Sequence, residues 1–383
     1  MNRVRMGMAG GGEGAFIGEI HRAAARLDGD IELVCGAFSS DPAVSQRTGA
    51  KLGLDPDRVY GNWGDMLVQE AKLPKDVRME FVAIVTPNHL HLPIAREAME
   101  LGFHVLSEKP ATCTLAECRA LADALTRRNL CYALTHTYLG YPLVVEARAR
   151  ILDGDIGAIR HVSLEYSQGW LSNRVENEGN RQAQWRTDPH RAGPGGSVGD
   201  IGVHAFNLAE YVSGLEVAEL CAVLDVAVAG RALDDQAAAF LRFNNGARGT
   251  LSVSQISAGE ENALRIGLYG DRGSIVWSHR EPNSLCLLDL DGSSRTVRAG
   301  NNVTELHRAS RALCRTPAGH PEGFIEAFAN LYRMFASDVR AMAKVSAVRA
   351  SPATMRSALR GMSFIDAMIR SNNAGQRWAA LET

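Results

Sequence analysis

The chain has 383 residues, 46% of them hydrophobic and 22% charged, with a formal net charge of -2. A chain of this length exceeds the size at which one core usually stops growing, so two domains are expected. The near-neutral charge gives no footing for nucleic acid or an anionic membrane as a partner. The 7 cysteines are scattered and none form Cys-x-x-Cys, which points to reduced thiols in a cytoplasmic protein and away from a disulfide frame or zinc site. No apolar stretch approaches ~18 residues, so no membrane span is read. The opening residues run into a strand and a glycine cluster, which is not a signal peptide.

Val4 to Ala9 is a strand candidate, followed by a glycine-rich loop from Gly10 to Gly18 and a helix from Glu19 to Leu27. Strand, glycine loop, helix is the context in which backbone N–H groups approach a pyrophosphate resting on a helix N-terminus. Gly10 and Gly12 supply Gly-x-Gly. Gly18, the candidate third glycine, lies about three residues later than the usual fingerprint. A glycine-rich hairpin turn is the competing reading of the loop alone. The next strand, Ile31 to Phe38, ends in Ser39-Ser40-Asp41, where a carboxylate would bind the ribose diol of NAD. Serine here, with Arg47 nearby, would also tolerate the extra phosphate of NADP, while Asp41 is equally suited to cap the next helix. The cofactor is therefore read as NAD or NADP, with a slight preference for NAD.

Glu80 to Val85 reads as a buried strand ending at Thr86-Pro87-Asn88, and a helix follows from about His91 to Gly102. His89 and His91 form a His-x-His pair without a third ligand of suitable spacing. No metal is expected, and His91 is placed at the helix start near the cofactor. The apolar run Phe103 to Leu106 reads as the next strand and leads into Glu108-Lys109-Pro110. Ligands of parallel sheets collect beyond the carboxyl ends of the strands, so Lys109 would point a flexible ammonium into that crevice. A helix from about Leu115 to Asn129 and a strand from Cys131 to Leu134 complete an alternation that argues for a doubly wound parallel sheet.

After about residue 135 the rhythm changes. A helix (Leu143 to Leu152) and a strand (Arg160 to Ser167) precede a polar, aromatic-rich stretch from Gly169 to Gly196 that holds Trp170, Trp185 and Arg186. Asp200-Ile201-Gly202-Val203-His204 then runs into an apolar helix. From about Ala218 to Val297 successive strands separated by turns such as Asn244-Asn245-Gly246 predict a largely antiparallel sheet. The remainder is mostly helical, from Glu322 to Met342 and from about Pro352 to Ser371. The domains are placed at 1–134 and 135–383.

Asp200 and His204 are four residues apart and would share a helix face. A histidine is the usual proton acceptor near neutral pH, and a carboxylate one turn away would orient it. Taken alone the pair reads as an exposed ion pair. With Lys109 to hold an alkoxide-like oxygen, the three form a set for removing a proton while hydride leaves the same carbon.

The glycine loop, Thr86-Pro87-Asn88 with His91, Glu108-Lys109-Pro110, and Gly195-Gly196 followed by Asp200-Ile201-Gly202-Val203-His204 together resemble the Gfo/Idh/MocA family, the glucose–fructose oxidoreductase and inositol dehydrogenase group. The resemblance spans essentially the whole chain in the right order. It implies an N-terminal NAD(P)-binding Rossmann domain and a C-terminal α+β domain. The latter's large open, mainly antiparallel sheet would build a homodimer or homotetramer. It also implies oxidation of a sugar or polyol hydroxyl, with Lys109, Asp200 and His204 as the catalytic set. Gly10, Gly12, Gly18, Ser39, Ser40, Thr86, Asn88, His91, Glu108, Lys109, Trp185 and Arg186 are the expected cofactor contacts.

Within the family, Tyr138, Gln168, Trp170 and the His320-Pro321-Glu322-Gly323 segment resemble the branch acting on glucosides and anhydrosugars, several of which oxidise the C3 hydroxyl. Tyr138, Gln168, Trp170 and His320 are then expected at the sugar, alongside Lys109, Asp200 and His204. An inositol or other polyol dehydrogenase and a non-catalytic NAD(P)-binding sensor are the alternatives.

Overall fold

The computed structural model describes residues 3–342 and 350–382. The chain divides into two compact units, one of residues 1–137 with Phe324–Leu359 and one of Tyr138–Gly323 with Arg360–Thr383.

The first unit alternates strand and helix: β1 (Val4–Gly10), α1 (Phe16–Leu27), β2 (Ile31–Ala37), α2 (Pro42–Lys51), α3 (Trp63–Lys72), β3 (Phe81–Val85), α4 (His91–Glu100), β4 (His104–Ser107), α5 (Leu115–Thr126) and β5 (Tyr132–Leu134). The five strands form a parallel sheet in the order β2-β1-β3-β4-β5. Every side chain of β3 is buried, as a strand covered on both faces requires. Strand order reverses between β1 and β3, and this switch point is where ligands of open α/β sheets bind. Helix α2 starts on Asp41, the cap expected there, and α3, which the sequence reading passed over, starts on Asn62; both side chains accept from first-turn N–H groups. Thr114 and Glu117 close a capping box on α5.

The second unit begins with α6 (Pro142–Leu152) and β6 (Ile159–Ser167), then the short helices α7 (Arg181–Arg186) and α8 (Pro189–Ala192). A π-helical turn, Val198–Gly202, runs directly into α9 (Val203–Ser213). Seven strands follow: β7 (Val217–Asp225), β8 (Gln236–Phe243), β9 (Arg248–Ser254), β10 (Ala263–Gly270), β11 (Gly273–Ser278), β12 (Ser284–Asp289) and β13 (Ser294–Arg298). The sheet order is β13-β12-β11-β10-β6-β9-β8-β7, antiparallel except for the β6–β9 pair. Strand β7 ends at Asp225, beyond which Asp235 accepts from the backbone N–H groups of Ala227 and Val228 and turns the chain. Strand β13 is largely exposed and lacks the apolar alternation by which strands are read.

After α10 (Arg308–Arg311) the chain returns to the first unit as α11 (Phe324–Met342). The sequence reading assigns this helix to the second domain. Its buried face, including Phe328, Leu331, Tyr332, Phe335 and Val339, instead packs on α1 and the first sheet. Phe328 lies 4.9 Å from the His21 ring and Phe335 5.1 Å from Phe81, centroid to centroid. Full burial of a phenylalanine such as Phe335 is worth about 1.5–3 kcal/mol, enough to commit the helix to this core. Helix α12 (Met355–Asn373) and β14 (Ala379–Ala380), which pairs with β7, end the chain.

Candidate active site

At the switch point of the first unit, the glycine loop packs so tightly that side chains are excluded. A Cβ on Gly10 would stand 2.8 Å from the Val85 carbonyl oxygen, and one on Gly12 would stand 2.6 Å from that of Phe38. Gly10 and Gly11 also have φ of 86° and 73°, values glycine adopts without strain. Gly18 sits in the first turn of α1 against Gly11, where a Cβ would meet backbone at 2.3 Å. The longer loop is absorbed by starting α1 at Phe16, and Gly18 allows the close approach of that helix to Gly11. Thr86, at the end of β3, has a buried hydroxyl oxygen with no partner. A glycine cradle before a helix N-terminus and an unmatched hydroxyl beside it fit the pyrophosphate end of a dinucleotide. Bound there, NAD supplies a nicotinamide that accepts hydride.

Ser39 and Ser40 follow β2, but the Ser39 Oγ accepts from the Asp41 N–H at 3.1 Å and Asp41 caps α2. Asn88 is buried in the turn after Thr86. His91 is fully buried, with Nδ1 at 2.7 Å from the Pro110 carbonyl and Nε2 at 2.9 Å from the Thr86 carbonyl. Burial pushes this imidazole's pKa down, against the pull of both carbonyls. His91 thereby joins the β3 turn to the Glu108–Pro110 segment.

Glu108 is the hub of a buried chain that spacing in the sequence does not reveal. Its Oε1 takes His21 Nε2 at 2.9 Å and the Thr135 hydroxyl at 2.5 Å, and His21 Nδ1 meets the Tyr332 hydroxyl at 2.7 Å. Burial raises the carboxyl's pKa, but the His21 bond and charge, the Lys109 charge and the Thr135 bond prevail and hold it near about 2. His136 is also buried, and burial together with the Lys109 ammonium pushes its pKa down to about 3. Lys109 thus stands among a fixed carboxylate and a neutral imidazole. The Glu108 carboxylate thus ties His21 and Thr135 to the segment that carries Lys109.

In the second unit, Asp234 accepts from the N–H groups of Gly196 and Val198 and from the Ser197 hydroxyl, at 2.6–2.9 Å. This buried carboxylate pins the entrance of the π-helical turn that carries Asp200. Single π-turns of this kind recur at functional sites. Asp200 Oδ2 accepts from Gln255 Nε2 at 2.8 Å and from Arg186 Nε at 3.2 Å. The Arg186 guanidinium lies over the Trp185 ring at 4.2 Å and 5.9 Å from that of Trp170, an arrangement of cation–π type. His204, in the first turn of α9, packs edge-to-face on Tyr138 with ring centroids 5.1 Å apart.

An amide network lines the same region. Gln168 donates to Asn262 at 2.8 Å and accepts from the Trp170 indole at 3.0 Å. Asn262 donates to the Tyr138 hydroxyl at 3.0 Å, and the Tyr138 and Tyr166 hydroxyls bond one another. Burial pushes the Tyr138 phenol up to about 12. Tyr138 therefore braces His204 by its ring, and its hydroxyl joins the network of Tyr166 and Asn262. His320 is exposed on a turn fixed by Glu322, which accepts from Thr316 N–H at 2.8 Å. It does not join this cluster.

The structure thus gathers Gly10, Gly12, Gly18, Thr86, Asn88, His91, Glu108 and Lys109 in the first unit. In the second it gathers Tyr138, Gln168, Trp170, Trp185, Arg186, Asp200 and His204. His21, Tyr332, Asp234, Gln255 and Asn262 were not anticipated. Of the further members, only Tyr166 carried a readable signal, since it shares a strand face with Gln168 at a spacing of two.

Residues 4–136 match the oxidoreductase family with an NAD-binding Rossmann fold, and residues 144–276 match the Gfo/Idh/MocA C-terminal domain. The chain is similar to the crystal structure of an inositol dehydrogenase homolog from Azotobacter vinelandii complexed with NAD+, with TM-score 0.94, 33% identity, and coverage of 99% of this chain and 97% of that one. An oxidoreductase from Sinorhizobium meliloti is 42% identical at TM-score 0.88, covering 99% of both chains. The levoglucosan dehydrogenase of Pseudarthrobacter phenanthrenivorans is 28% identical across 74% of this chain and 76% of its own. With both halves matched in order and an NAD cradle at the switch point, the chain belongs to the Gfo/Idh/MocA family and is an NAD-binding oxidoreductase acting on CH–OH groups.

Proposed function

We propose that this enzyme oxidises a secondary hydroxyl of an uncharged pyranose, glucoside or anhydrosugar, at C3, to the ketone. The observation that carries this reading is the wall around Asp200 and His204. It is built from the amides of Gln168, Gln255 and Asn262 and the indole of Trp170, and its guanidinium, Arg186, is already held by Asp200. Amides offer both donors and acceptors to hydroxyl groups, and an indole face suits ring C–H bonds. In this reading His204 would take the hydroxyl proton, Asp200 would orient it and Lys109 would steady the oxygen, while bound NAD would supply the hydride acceptor. Inositol is the second reading, favoured by the inositol dehydrogenase homolog, since the same wall suits any neutral polyol.

Absorbance assays with pyranoses, glucosides, anhydrosugars and inositols, each with NAD+ and NADP+, test the substrate class. Lys109→Met and His204→Asn should each cut kcat by about 10²–10⁴-fold while dinucleotide binding, read by fluorescence, persists. Full turnover in both variants overturns the mechanism.

The nine-stranded sheet supports a homo-oligomer. Helices α6 and α9 pack on one face, while the other presents Phe240 at 63% and Val223 at 41% exposure. Nine strands at the usual spacing span a face of roughly 800–1,000 Å², which matches the roughly 800 Å² each partner contributes to a stable interface. A second copy of this chain is the occupant we assign, giving a dimer or tetramer. The free state of all seven cysteines supports a cytoplasmic setting.

A further inference from the structure

We propose that Glu13 makes this enzyme select NAD over NADP, by holding the two cations of α2 that a 2′-phosphate would otherwise meet. The inference rests on the assignment of the Gly10–Gly18 loop as the pyrophosphate cradle. It starts from a conflict: β2 ends without a carboxylate for the ribose diol, and Arg47 lies close by in the sequence, a combination open to either dinucleotide.

The fold resolves the conflict through the lengthened loop. The Gly12 N–H donates to the Phe38 carbonyl at 2.9 Å, which seats the loop against the end of β2. The next residue is Glu13, whose N–H donates to the Thr48 hydroxyl on α2 at 3.2 Å. Its carboxylate then meets Lys51 Nζ at 2.5 Å and Arg47 Nε at 3.8 Å. Asp41, the other carboxylate at this corner, is committed to the α2 cap. The loop thus delivers a negative charge to the strand–helix junction where an adenosine ribose is read in such folds.

The electrostatics follow from counting charges. Two cations and one carboxylate leave a single positive charge at the junction; neutralising Glu13 leaves two, both released from their partner. A phosphate monoester carries about -1.5 to -2 at pH 7 and responds strongly to that change. The uncharged diol of NAD does not. All three side chains are substantially exposed, at 45–66%, so solvent and salt screen the effect and keep it modest.

Isothermal titration calorimetry of the full chain with NAD+, NADP+ and the fragment adenosine 2′,5′-bisphosphate tests this without reference to turnover. Glu13→Gln should strengthen NADP+ and bisphosphate binding by about 5- to 10-fold and leave NAD+ within about twofold. The gain should shrink in high salt and disappear in the triple variant Glu13→Gln, Arg47→Met, Lys51→Met. An unchanged NADP+ to NAD+ affinity ratio in Glu13→Gln overturns the proposal, as does a wild type that binds NADP+ as tightly as NAD+. A wild type that binds neither dinucleotide overturns the cradle assignment and this proposal with it.

Discussion

At the scale of single residues, His21 shows how much of the site rests on groups that touch no reactant. It supplies a hydrogen bond to the carboxylate beside Lys109 and takes its own support from Tyr332, 311 positions away in sequence. Replacing His21 by leucine leaves the buried Tyr332 phenol unmatched, a loss of about 1–3 kcal/mol, and leaves the Glu108 carboxylate with the Thr135 bond but without its imidazole partner. His21→Leu should therefore lower stability, raise the Glu108 pKa from about 2, and alter the acid limb of the kcat/KM pH profile. Glutamine at 21, which keeps a donor, should restore part of the profile. A profile identical to wild type in His21→Leu would reduce the network to packing. Lys109, Asp200 and His204 could be nominated from the sequence because each stands in a local pattern. Asn262, Gln255 and Tyr332 were not, because their partners come from distant strands and helices and no spacing rule links them.

At the scale of elements, strand–helix alternation in the first half followed from period and caps, whereas the ends of elements followed from tertiary bonds. His307 illustrates a contact between elements with a pH dependence. It bridges Asp153 at 2.7 Å and the buried Glu146 at 3.0 Å, tying the α10 region to α6. The Asp153 bond, with Glu146 and the charges of both outweighing burial, raises the imidazole's pKa in the folded state. A folded pKa above the unfolded one means the contribution is complete below the unfolded value and fades as pH rises through the folded value. Urea unfolding midpoints of wild type should accordingly fall from pH 6 to pH 9 more than those of His307→Gln. Parallel curves would show that the bridge does not contribute.

At the scale of the whole molecule, the proposed homo-oligomer rests on the face of the nine-stranded sheet that presents Phe240 and Val223. A charge at its exposed aromatic position, Phe240→Glu, should shift the enzyme to monomers in sedimentation velocity while its fold, read by circular dichroism, persists. A wild-type monomer at micromolar concentration would exclude the interface.

What the residues alone determined is what local chemistry controls: the glycine loop ahead of a helix, the lysine after a buried strand, the aspartate and histidine one turn apart, and the family these imply. Tertiary structure alone decided that α11 belongs to the first unit, because its apolar stripe is satisfied by α1 and the first sheet rather than by its neighbours in sequence. It alone decided that His91, Glu108 and Tyr138 turn inward. A buried polar group must find its partner wherever the fold brings one, and that partner's position is not written in the spacing around it.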